Sequence, residues 1–537
     1  MCAMPRAFAD ANAPAVHDLA SGSALISALR DPRCYRHAVT RIEVVETHAS
    51  WVLLTGEHAY KIKKPVNLGF LDYSTLAKRH AACAEELRLS RALAPELYLE
   101  VVPITGSVQA PVMNGAGTPI EYALHMREFD RGLQLDELLA AGRLGERDMD
   151  SVADYVATFH RSAARSDPQG PYGSPAALQA AVQDNFATLG PLLTGHYAAQ
   201  LVDLQAWSAA EYERCHELME SRRAQGWIRE CHGDLHLANL ARYGGRLLAF
   251  DRIEFDPSLR WLDVLNDAAF LVMDLLARGR RDLAYRFLNG YLQHTGDYRG
   301  LPLLRYYLVY RALVRAKVVL LKARQAGAGF GSVPAEAERY LALAGALVEP
   351  TQPRLVLMHG LSGSGKTWLS ERLMTRLPAI RLRSDIERKR LHGLKPLARS
   401  GSAPGAHLYD VDTTAETYHE LLALAEIGLA AGYHVIVDAV FLLRWQRRLF
   451  RELAARRAWP WVIIECRTPE ILLRERLETR GAAANDASEA GLAVLDYQLR
   501  SRETLDRRER EHVIVVDNRA APDFDAVGAR VLNWPQR

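Results

Sequence analysis

The sequence lacks paired cysteines, long hydrophobic runs and a signal-peptide pattern. Its six cysteines are scattered over 537 residues without a C-x-x-C pair, which fits free thiols in a reducing compartment better than a disulfide framework. The most apolar run, residues 268–273, is flanked by Asp267 and Asp274 and is too short to cross a bilayer. Residues 1–6 contain no apolar core of signal-peptide length. We therefore expect a cytoplasmic protein with no membrane partner.

An excess of charge of one sign is also missing. The chain has 67 Lys and Arg residues against 64 Asp and Glu residues, a net charge of +3, so bulk charge argues neither for nor against a nucleic-acid partner. Charged residues make up 24% and hydrophobic residues 49%, which is typical of a globular chain. Its length predicts two to four domains.

The most informative stretch is residues 231–240, Cys-His-Gly-Asp-Leu-His-Leu-Ala-Asn-Leu. Asn239 follows Asp234 at the spacing by which a kinase catalytic loop presents a base and a metal-binding amide. Residues 241–248 contain two strand-like runs around a Gly-Gly pair and predict a hairpin. Such a hairpin would bring Asn239 beside Asp251, so that both side chains could bind Mg²⁺.

Two other interpretations of this stretch are open. An Asp or His in a turn can serve only as a capping group. His232 and His236, four residues apart, also suggest a zinc pair, but no third ligand follows at a matching spacing. We favour the catalytic interpretation because the spacing, the hairpin and the second acidic cluster agree.

The run His-Gly-Asp-Leu-His-x-x-Asn, followed by Asp251, resembles the aminoglycoside phosphotransferase and choline kinase branch of the protein-kinase-like fold. The resemblance implies that Asp234 is the catalytic base and that Asn239 and Asp251 are metal ligands. It also implies that His232 is a structural support.

Residues 41–46, 51–55 and 59–63 alternate in polarity and predict three antiparallel strands. Lys61 shares a face with Ala59, so we favour it over Lys63 as the lysine that contacts the nucleotide phosphates, although a solvated basic strand is the alternative. The helix predicted over residues 75–93 contains Glu85 and Glu86, and we favour Glu86 as the partner of the lysine. The loop at residues 47–50 has no glycine, which argues against a protein kinase.

A second phosphate-binding motif follows the predicted buried strand at residues 354–359. The motif G-x-x-x-x-G-K-[ST] is a P-loop, in which glycine backbone amides approach phosphate at a helix N-terminus. Lys366 would contact the outer phosphates and Thr367 would bind Mg²⁺. The residues predicted to bind the nucleotide are Gly360, Gly363, Ser364, Gly365, Lys366 and Thr367.

Other residues indicate a small-molecule kinase. Asp385 follows the next predicted strand and is a candidate base for an acceptor hydroxyl, and Asp438 ends the buried run 434–438 as a Walker B-like metal ligand. The arginine-rich helix before residues 485–488 resembles the lid of gluconate kinase, polynucleotide kinase and zeta-toxin-like kinases. By that resemblance Arg474 and Arg480 stabilise the charge of the transferred phosphoryl group. A solvated, ion-paired helix surface is the alternative.

The sequence thus predicts two domains. Residues 1–348 are expected to form an α+β protein-kinase-like fold of the aminoglycoside phosphotransferase type, and residues 349–353 a linker. Residues 354–537 are expected to form an α/β P-loop domain with a doubly wound parallel sheet. The whole arrangement resembles bacterial proteins in which an aminoglycoside phosphotransferase is fused to a P-loop ATP-binding domain.

The predicted function is ATP-dependent phosphoryl transfer by two modules, with ATP and Mg²⁺ as cofactors. The acceptors are expected to be small molecules with a hydroxyl group, and no obligate protein partner is evident. The main alternative is a nucleotide-operated switch, in which the P-loop part regulates the first domain or a partner and transfers nothing. A degraded, ligand-binding first domain and a nucleic-acid end kinase at the C-terminus are further alternatives, although the sequence has no aromatic and basic groove.

Overall fold

The computed structural model describes residues 16–67, 69, 71–327, 329, 331–395, 398, 410–483 and 490–535. Contacts between residues divide the chain into two compact units. The first contains residues 1–144, 163–173 and 226–267, and the second contains residues 145–162, 174–225 and 268–537. The two units are defined by contacts and not by fold type. The predicted boundary between the kinase-like and P-loop domains at residues 349–353 therefore stays a prediction.

The first unit contains a six-stranded antiparallel sheet with strand order β1-β2-β3-β6-β4-β5. Its first three strands confirm the strands predicted near the N-terminus. The elements are β1 (Glu43–Glu46), β2 (Ser50–Leu54), β3 (His58–Lys63), β4 (Tyr98–Gly106), β5 (Pro111–Met113), β6 (Glu121–Arg127), α1 (Leu19–Ala28), α2 (Leu76–Arg91) and α3 (Leu135–Ala140).

The two faces of this sheet have different roles. Because successive side chains of a strand point to opposite faces, Tyr60 and Ile62 of β3 lie on one face and Lys61 and Lys63 on the other. Tyr60 and Ile62 belong to an apolar cluster that includes Leu25 of α1. The lysines instead contact α2. An apolar face therefore anchors the sheet while the opposite face presents charge.

The same unit contains two short strand pairs. Strands β7 (Ile228–Glu230) and β10 (Trp261–Asp263) are antiparallel, as are β8 (Leu240–Tyr243) and β9 (Arg246–Ala249). The second pair confirms the predicted hairpin. Its register pairs Leu240 with Ala249, and the Phe250 N–H donates to the Asn239 carbonyl at 3.0 Å.

The second unit begins with long helices. They are α4 (Glu146–Ser162), α5 (Pro175–Leu189), α6 (His196–Ala224), the C-terminal part of α7 (Val264–Ala277), α8 (Arg281–Thr295), α9 (Leu301–Gln325) and α10 (Ala335–Val348). No helix in the described part of the chain is both long and apolar enough to cross a membrane.

A five-stranded parallel sheet completes this unit, with strand order β12-β13-β11-β14-β15. Its strands are β11 (Leu355–His359), β12 (Ala379–Arg383), β13 (His434–Asp438), β14 (Trp461–Arg467) and β15 (Val513–Asp517). Its helices are α11 (Lys366–Arg376), α12 (Ser384–Leu391), α13 (Val411–Ala430), α14 (Arg444–Arg457), α15 (Glu470–Ala483), α16 (Leu492–Ser501), α17 (Arg507–Arg510) and α18 (Phe524–Leu532). The order and the alternation with helices confirm the predicted doubly wound P-loop fold.

Candidate active sites

The loop after β7 is held by a buried carboxylate and a buried imidazole. Asp267 accepts hydrogen bonds from the backbone N–H groups of His232 (3.0 Å) and Gly233 (2.8 Å). His232 Nε2 lies 2.9 Å from the Phe250 carbonyl, and burial lowers the pKa of this imidazole. A neutral His232 that donates to Phe250 therefore ties the loop to the end of β9, as expected of a structural support.

Asp234 and Asn239 are in direct contact in this loop. The Asn239 carboxamide donates from Nδ2 to the Asp234 carbonyl at 2.9 Å and to its Oδ2 at 3.2 Å. His236 Nε2 lies 3.4 Å from the same carboxylate oxygen. The Asp234 side chain is 35% exposed whereas Asn239 is buried, so the predicted base remains accessible to an acceptor.

Asp251 has a strained backbone beside these residues. Its φ of +64° is left-handed, which costs roughly 1 kcal/mol or more for a residue other than glycine. The Asp251 N–H donates to the Tyr98 hydroxyl at 3.0 Å, and its carboxylate lies 2.5 Å from Lys61 Nζ. Desolvation raises the pKa of Asp251, but the charge and hydrogen bond of Lys61, together with the charge of Lys63, outweigh it and hold the pKa below its usual value.

Lys61 and Lys63 share one fully buried carboxylate, that of Glu86. Its two oxygens lie 2.8 Å from Lys61 Nζ and 2.5 Å from Lys63 Nζ. Lys63 is almost fully enclosed and also pairs with Glu254, whereas Lys61 is 14% exposed and reaches Asp251. The structure thus brings together Lys61, Glu86 and Asp251, and it places Lys63 behind them as a second cation that the sequence interpretation had not assigned.

Glu85 points elsewhere. Its carboxylate pairs with Arg88 at 2.8 Å and with Arg260 at 2.6 Å. The choice between adjacent glutamates follows from helix geometry, since neighbouring residues of a helix are about 100° apart and only one of them can face the sheet.

The P-loop connects β11 to α11, whose first residue is Lys366. Gly360, Gly363 and Gly365 all have positive φ, of 149°, 82° and 84°. A Cβ atom at Gly365 would lie 2.8 Å from Asn518 Nδ2. Lys366 is buried and donates to the Leu361 carbonyl at 2.9 Å, so its side chain crosses the loop. The predicted strand, loop and helix are thus confirmed, and the loop ends at the N-terminus of α11.

The predicted metal ligands Thr367 and Asp438 are connected by Ser370, whose hydroxyl is within hydrogen-bond distance of both residues. Ser370 lies one turn beyond Thr367 in α11, and its hydroxyl donates to Asp438 Oδ2 at 3.0 Å. Arg383 of β12 is the register partner of Asp438, and its Nε lies 3.9 Å from Asp438 Oδ2. The hydroxyl of Thr367 and the buried carboxylate of Asp438 are hard oxygen donors of the kind that suits Mg²⁺.

Asp385 lies in the first turn of α12, just after Arg383. Its side chain is partly exposed, and its carboxylate lies 3.8 Å from Arg388 Nη1. It is therefore at the carboxyl-terminal edge of the parallel sheet, where ligands bind in open α/β folds. Its role as an acceptor base stays a prediction.

In the described part of α15, Arg476 contacts the P-loop, whereas the predicted Arg474 pairs with two carboxylates. Arg474 pairs with Glu470 at 2.8 Å and with Asp496 at 2.7 Å. The Arg480 side chain and the predicted polar loop at 485–488 lie outside the described residues. Arg476 donates from Nη2 to the Asn518 carbonyl at 2.6 Å and from Nη1 to the Gly363 carbonyl at 3.5 Å. The roles of Arg474 and Arg480 stay predictions, and Arg476 joins the candidate site.

Two further polar residues hold the P-loop from distant parts of the chain. Asn518 Nδ2 donates to the Ser364 carbonyl at 2.8 Å, and Gln498 Oε1 accepts from the Ser362 N–H at 2.8 Å. Asn518 directly follows β15, a position at the sheet edge that could have identified it. Gln498 lies within the ordinary helix α16, and the sequence carries no signal for it.

We predict that Glu86→Gln destabilises the first unit by about 3 to 5 kcal/mol, because two buried ammonium groups lose their shared counter-charge. Glu85→Gln is the matched control. Its partly exposed pairs should contribute about 1 kcal/mol or less. Urea unfolding followed by circular dichroism measures both variants, and equal losses would contradict the assignment of Glu86.

We predict that Gly365→Ala weakens ATP binding at the P-loop at least 10-fold. The added Cβ would displace Asn518 and break its bond to Ser364, and the residue has a φ that costs a non-glycine residue about 1 kcal/mol or more. Gly393→Ala is the control, because it has a φ of +70° but open space around its Cβ position. Titration with a fluorescent ATP analogue should separate the two variants, and equal affinities would refute the packing argument.

Part of the chain matches a known domain family, and most of it matches two mycobacterial proteins. Residues 355–505 match the family described as AAA domain. The chain is 31% identical over 481 residues to "Uncharacterized protein Rv2004c" of Mycobacterium tuberculosis, covering 87% of this chain and 93% of the relative, and Mb2027c of Mycobacterium bovis matches equally well.

Two solved structures align with different parts of the chain. A choline/ethanolamine kinase family protein from Mesorhizobium loti covers 61% of this chain and 95% of its own length, at 14% identity and a TM-score of 0.39. The APS kinase CysC of Mycobacterium tuberculosis covers 34% and 98%, at 21% identity and a TM-score of 0.25. The chain belongs to the protein family of Rv2004c and Mb2027c, and its C-terminal part is an AAA domain of the P-loop type.

Proposed function

We propose that this protein is an ATP-dependent phosphotransferase with two nucleotide sites, each transferring the γ-phosphate of ATP to a hydroxyl group of a small molecule. The observation that carries the proposal is the position of the Lys61 ammonium, which contacts both the buried Glu86 and Asp251. A lysine fixed by a helix glutamate, beside an oxygen ligand for a metal ion, is the arrangement by which kinase-like folds bind a triphosphate.

The donor set of the first site suits Mg²⁺, since it combines the Asn239 carboxamide with the Asp251 carboxylate. When bound there, Mg²⁺ would neutralise charge on the phosphate oxygens. Lys61 would contact the same phosphates, and Asp234 would orient the acceptor hydroxyl. The acceptor oxygen bonds to the γ-phosphorus as the bond to the bridging oxygen breaks and ADP leaves. The hydroxyl proton passes to the Asp234 carboxylate.

In the second site, backbone amides of the P-loop and Lys366 would bind the phosphates, and Thr367 with Asp438 would hold Mg²⁺. Asp385 would accept the proton of a second acceptor hydroxyl, and Arg474, Arg476 and Arg480 are the lid arginines available to stabilise charge. Two unrelated folds in one chain would thus use the same cofactors with different acceptors.

We also propose that the protein acts in the cytoplasm. Support comes from the cysteines in the described part of the chain, which are free and buried, as is usual in a reducing compartment. They are Cys34, Cys83, Cys215, Cys231 and Cys466.

The proposal predicts that Asp234→Asn and Lys366→Ala each remove one of two activities of the full-length chain. The purified variants are incubated with radiolabelled ATP, Mg²⁺ and a panel of sugars, amino alcohols, antibiotics and nucleosides. Asp234→Asn should lower transfer to one class of acceptor by roughly 100-fold or more, because a positioned base contributes about that much. Lys366→Ala should remove transfer to another class by weakening ATP binding.

Asp256→Asn and Lys322→Ala serve as controls, because Asp256 only caps a short 3₁₀ helix near the first site and Lys322 is exposed on α9. Transfer and ATP turnover that survive both site variants would refute the proposal. If Lys366→Ala removes ATP binding while Asp385→Ala spares every activity, the P-loop part is instead a nucleotide-operated switch.

A further inference from the structure

Three residues of helix α8 contact elements of the P-loop site. They are Arg286, Asn289 and Gln293, whose spacing of three and four residues places them along one side of the helix. The face toward α4 is closely packed, since a Cβ atom at Gly290 would lie 2.8 Å from Ala153 Cβ. Helix α8 therefore lies between α4 and the parallel sheet.

Asn289 covers the open edge of that sheet. Strand β12 is the edge strand, so backbone groups on its outer side have no neighbouring strand among the described residues. Asn289 Nδ2 donates to the Ala379 carbonyl at 2.9 Å, and its Oδ1 accepts from the Arg381 N–H at 2.6 Å. One side-chain amide thus makes the pair of hydrogen bonds that one residue of a parallel neighbouring strand would make.

Arg381, whose backbone is bound by Asn289, extends its side chain to the P-loop helix α11. The buried Arg381 side chain donates from Nη1 to the Thr367 carbonyl and to the Ser370 hydroxyl, both at 3.4 Å. Ser370 in turn donates to Asp438. Burial, followed by repulsion from Arg383, lowers the pKa of Arg381 to about 10, so it stays charged at neutral pH. Arg381 therefore contacts the backbone of the predicted magnesium ligand Thr367 and is connected through Ser370 to the other, Asp438.

Arg286 fixes the same helix from a second direction. Its Nη1 lies 2.6 Å from Glu371 Oε1 in α11, one turn beyond Thr367. Its Nε and Nη2 make a bidentate pair with Asp150 of α4, at 2.5 and 2.6 Å. Because the guanidinium is mostly buried and bound at three atoms, it holds Glu371 and the first turns of α11 in one orientation.

The third contact reaches the helix that carries Asp385. Arg390 of α12 donates from Nη2 to the Gln293 carbonyl at 2.6 Å. Its guanidinium also packs over Gly296, where a Cβ atom would lie 2.7 Å from Arg390 Nε. Helix α8 is thus bound to the P-loop helix α11, to the edge strand β12 and to α12, which carries Asp385.

We propose that Arg286 and Asn289 are positioning residues of the P-loop site, supplied by a helix of the predicted kinase-like part. They orient the first turn of α11 and the Arg381 side chain, and through them Thr367 and Asp438. The inference rests on the proposed function, in which the P-loop binds and turns over ATP. A displacement of about 1 Å at a reacting centre can lower a rate by roughly 100-fold, so this support should affect catalysis more than binding.

The test uses the full-length chain with Asp234→Asn, so that ATP turnover reports the P-loop site. Arg286→Ala and Asn289→Leu should each lower kcat by about 10- to 100-fold and raise the Mg²⁺ concentration for half-maximal rate, while KM for ATP changes less than about threefold. Arg286→Lys should restore part of the rate. Adding Glu371→Ala to Arg286→Ala should cause little further loss, because both changes break the same ion pair.

Arg299→Ala is the matched control. Arg299 contacts the same P-loop domain through Glu420 of α13, at 3.1 Å, but away from the first turn of α11. If this variant lowers kcat as much as Arg286→Ala, the effect is general packing and the proposal is wrong. Folded Arg286→Ala or Asn289→Leu protein with an unchanged kcat and Mg²⁺ requirement would also refute it, and circular dichroism identifies which variants are folded.

A second measurement separates this proposal from the proposed function. Binding of a non-hydrolysable ATP analogue to the P-loop is titrated with and without Mg²⁺ in a chain with Lys61→Ala. If Lys366→Ala does not change binding, the proposed function of this site fails. If Lys366→Ala removes binding, but Arg286→Ala leaves the Mg²⁺ concentration for half-maximal enhancement of binding unchanged, only the positioning role fails.

Discussion

The interaction on which the first site depends is the buried Glu86 carboxylate between two lysines. Burying three charged groups is costly unless each is paired, so the cluster is stable only with its geometry complete. Asp251 and Glu254 supply the remaining negative charge, and both reach the cluster from the segment that follows the hairpin. The charge balance of this cluster therefore connects the six-stranded sheet to the loop that carries Asp234 and Asn239.

The second site is built differently, because the proposal assigns phosphate binding there to a glycine-containing loop and a helix N-terminus rather than to a charge cluster. The loop is nevertheless held by polar side chains from distant parts of the sequence. Asn518, Gln498 and Arg476 hold the loop, and α8 holds the first turn of α11 and the edge strand. A helix encoded before the predicted linker thus belongs to the same compact unit as the P-loop.

Local spacing was sufficient to predict the hairpin and the P-loop, since each follows from a backbone period or a short motif. It did not decide between Lys61 and Lys63 or between Glu85 and Glu86, and in the structure Glu86 pairs with both lysines. The contacts of Asn289 were not predictable, because they join positions about 90 residues apart and the sequence shows only a polar residue in an amphipathic helix. Arg476 was overlooked for a related reason. Whether Arg476 faces the loop depends on the rotation of α15, which distant packing determines.

The central claim is that one chain carries two independent sites for ATP, and the binding stoichiometry tests it most directly. Isothermal titration of the full-length protein with a non-hydrolysable ATP analogue and Mg²⁺ should give two sites per chain. Lys61→Ala and Lys366→Ala should each leave one site, and the double variant should leave none. A single site in the unmodified chain, or two sites that persist in the double variant, would contradict the account.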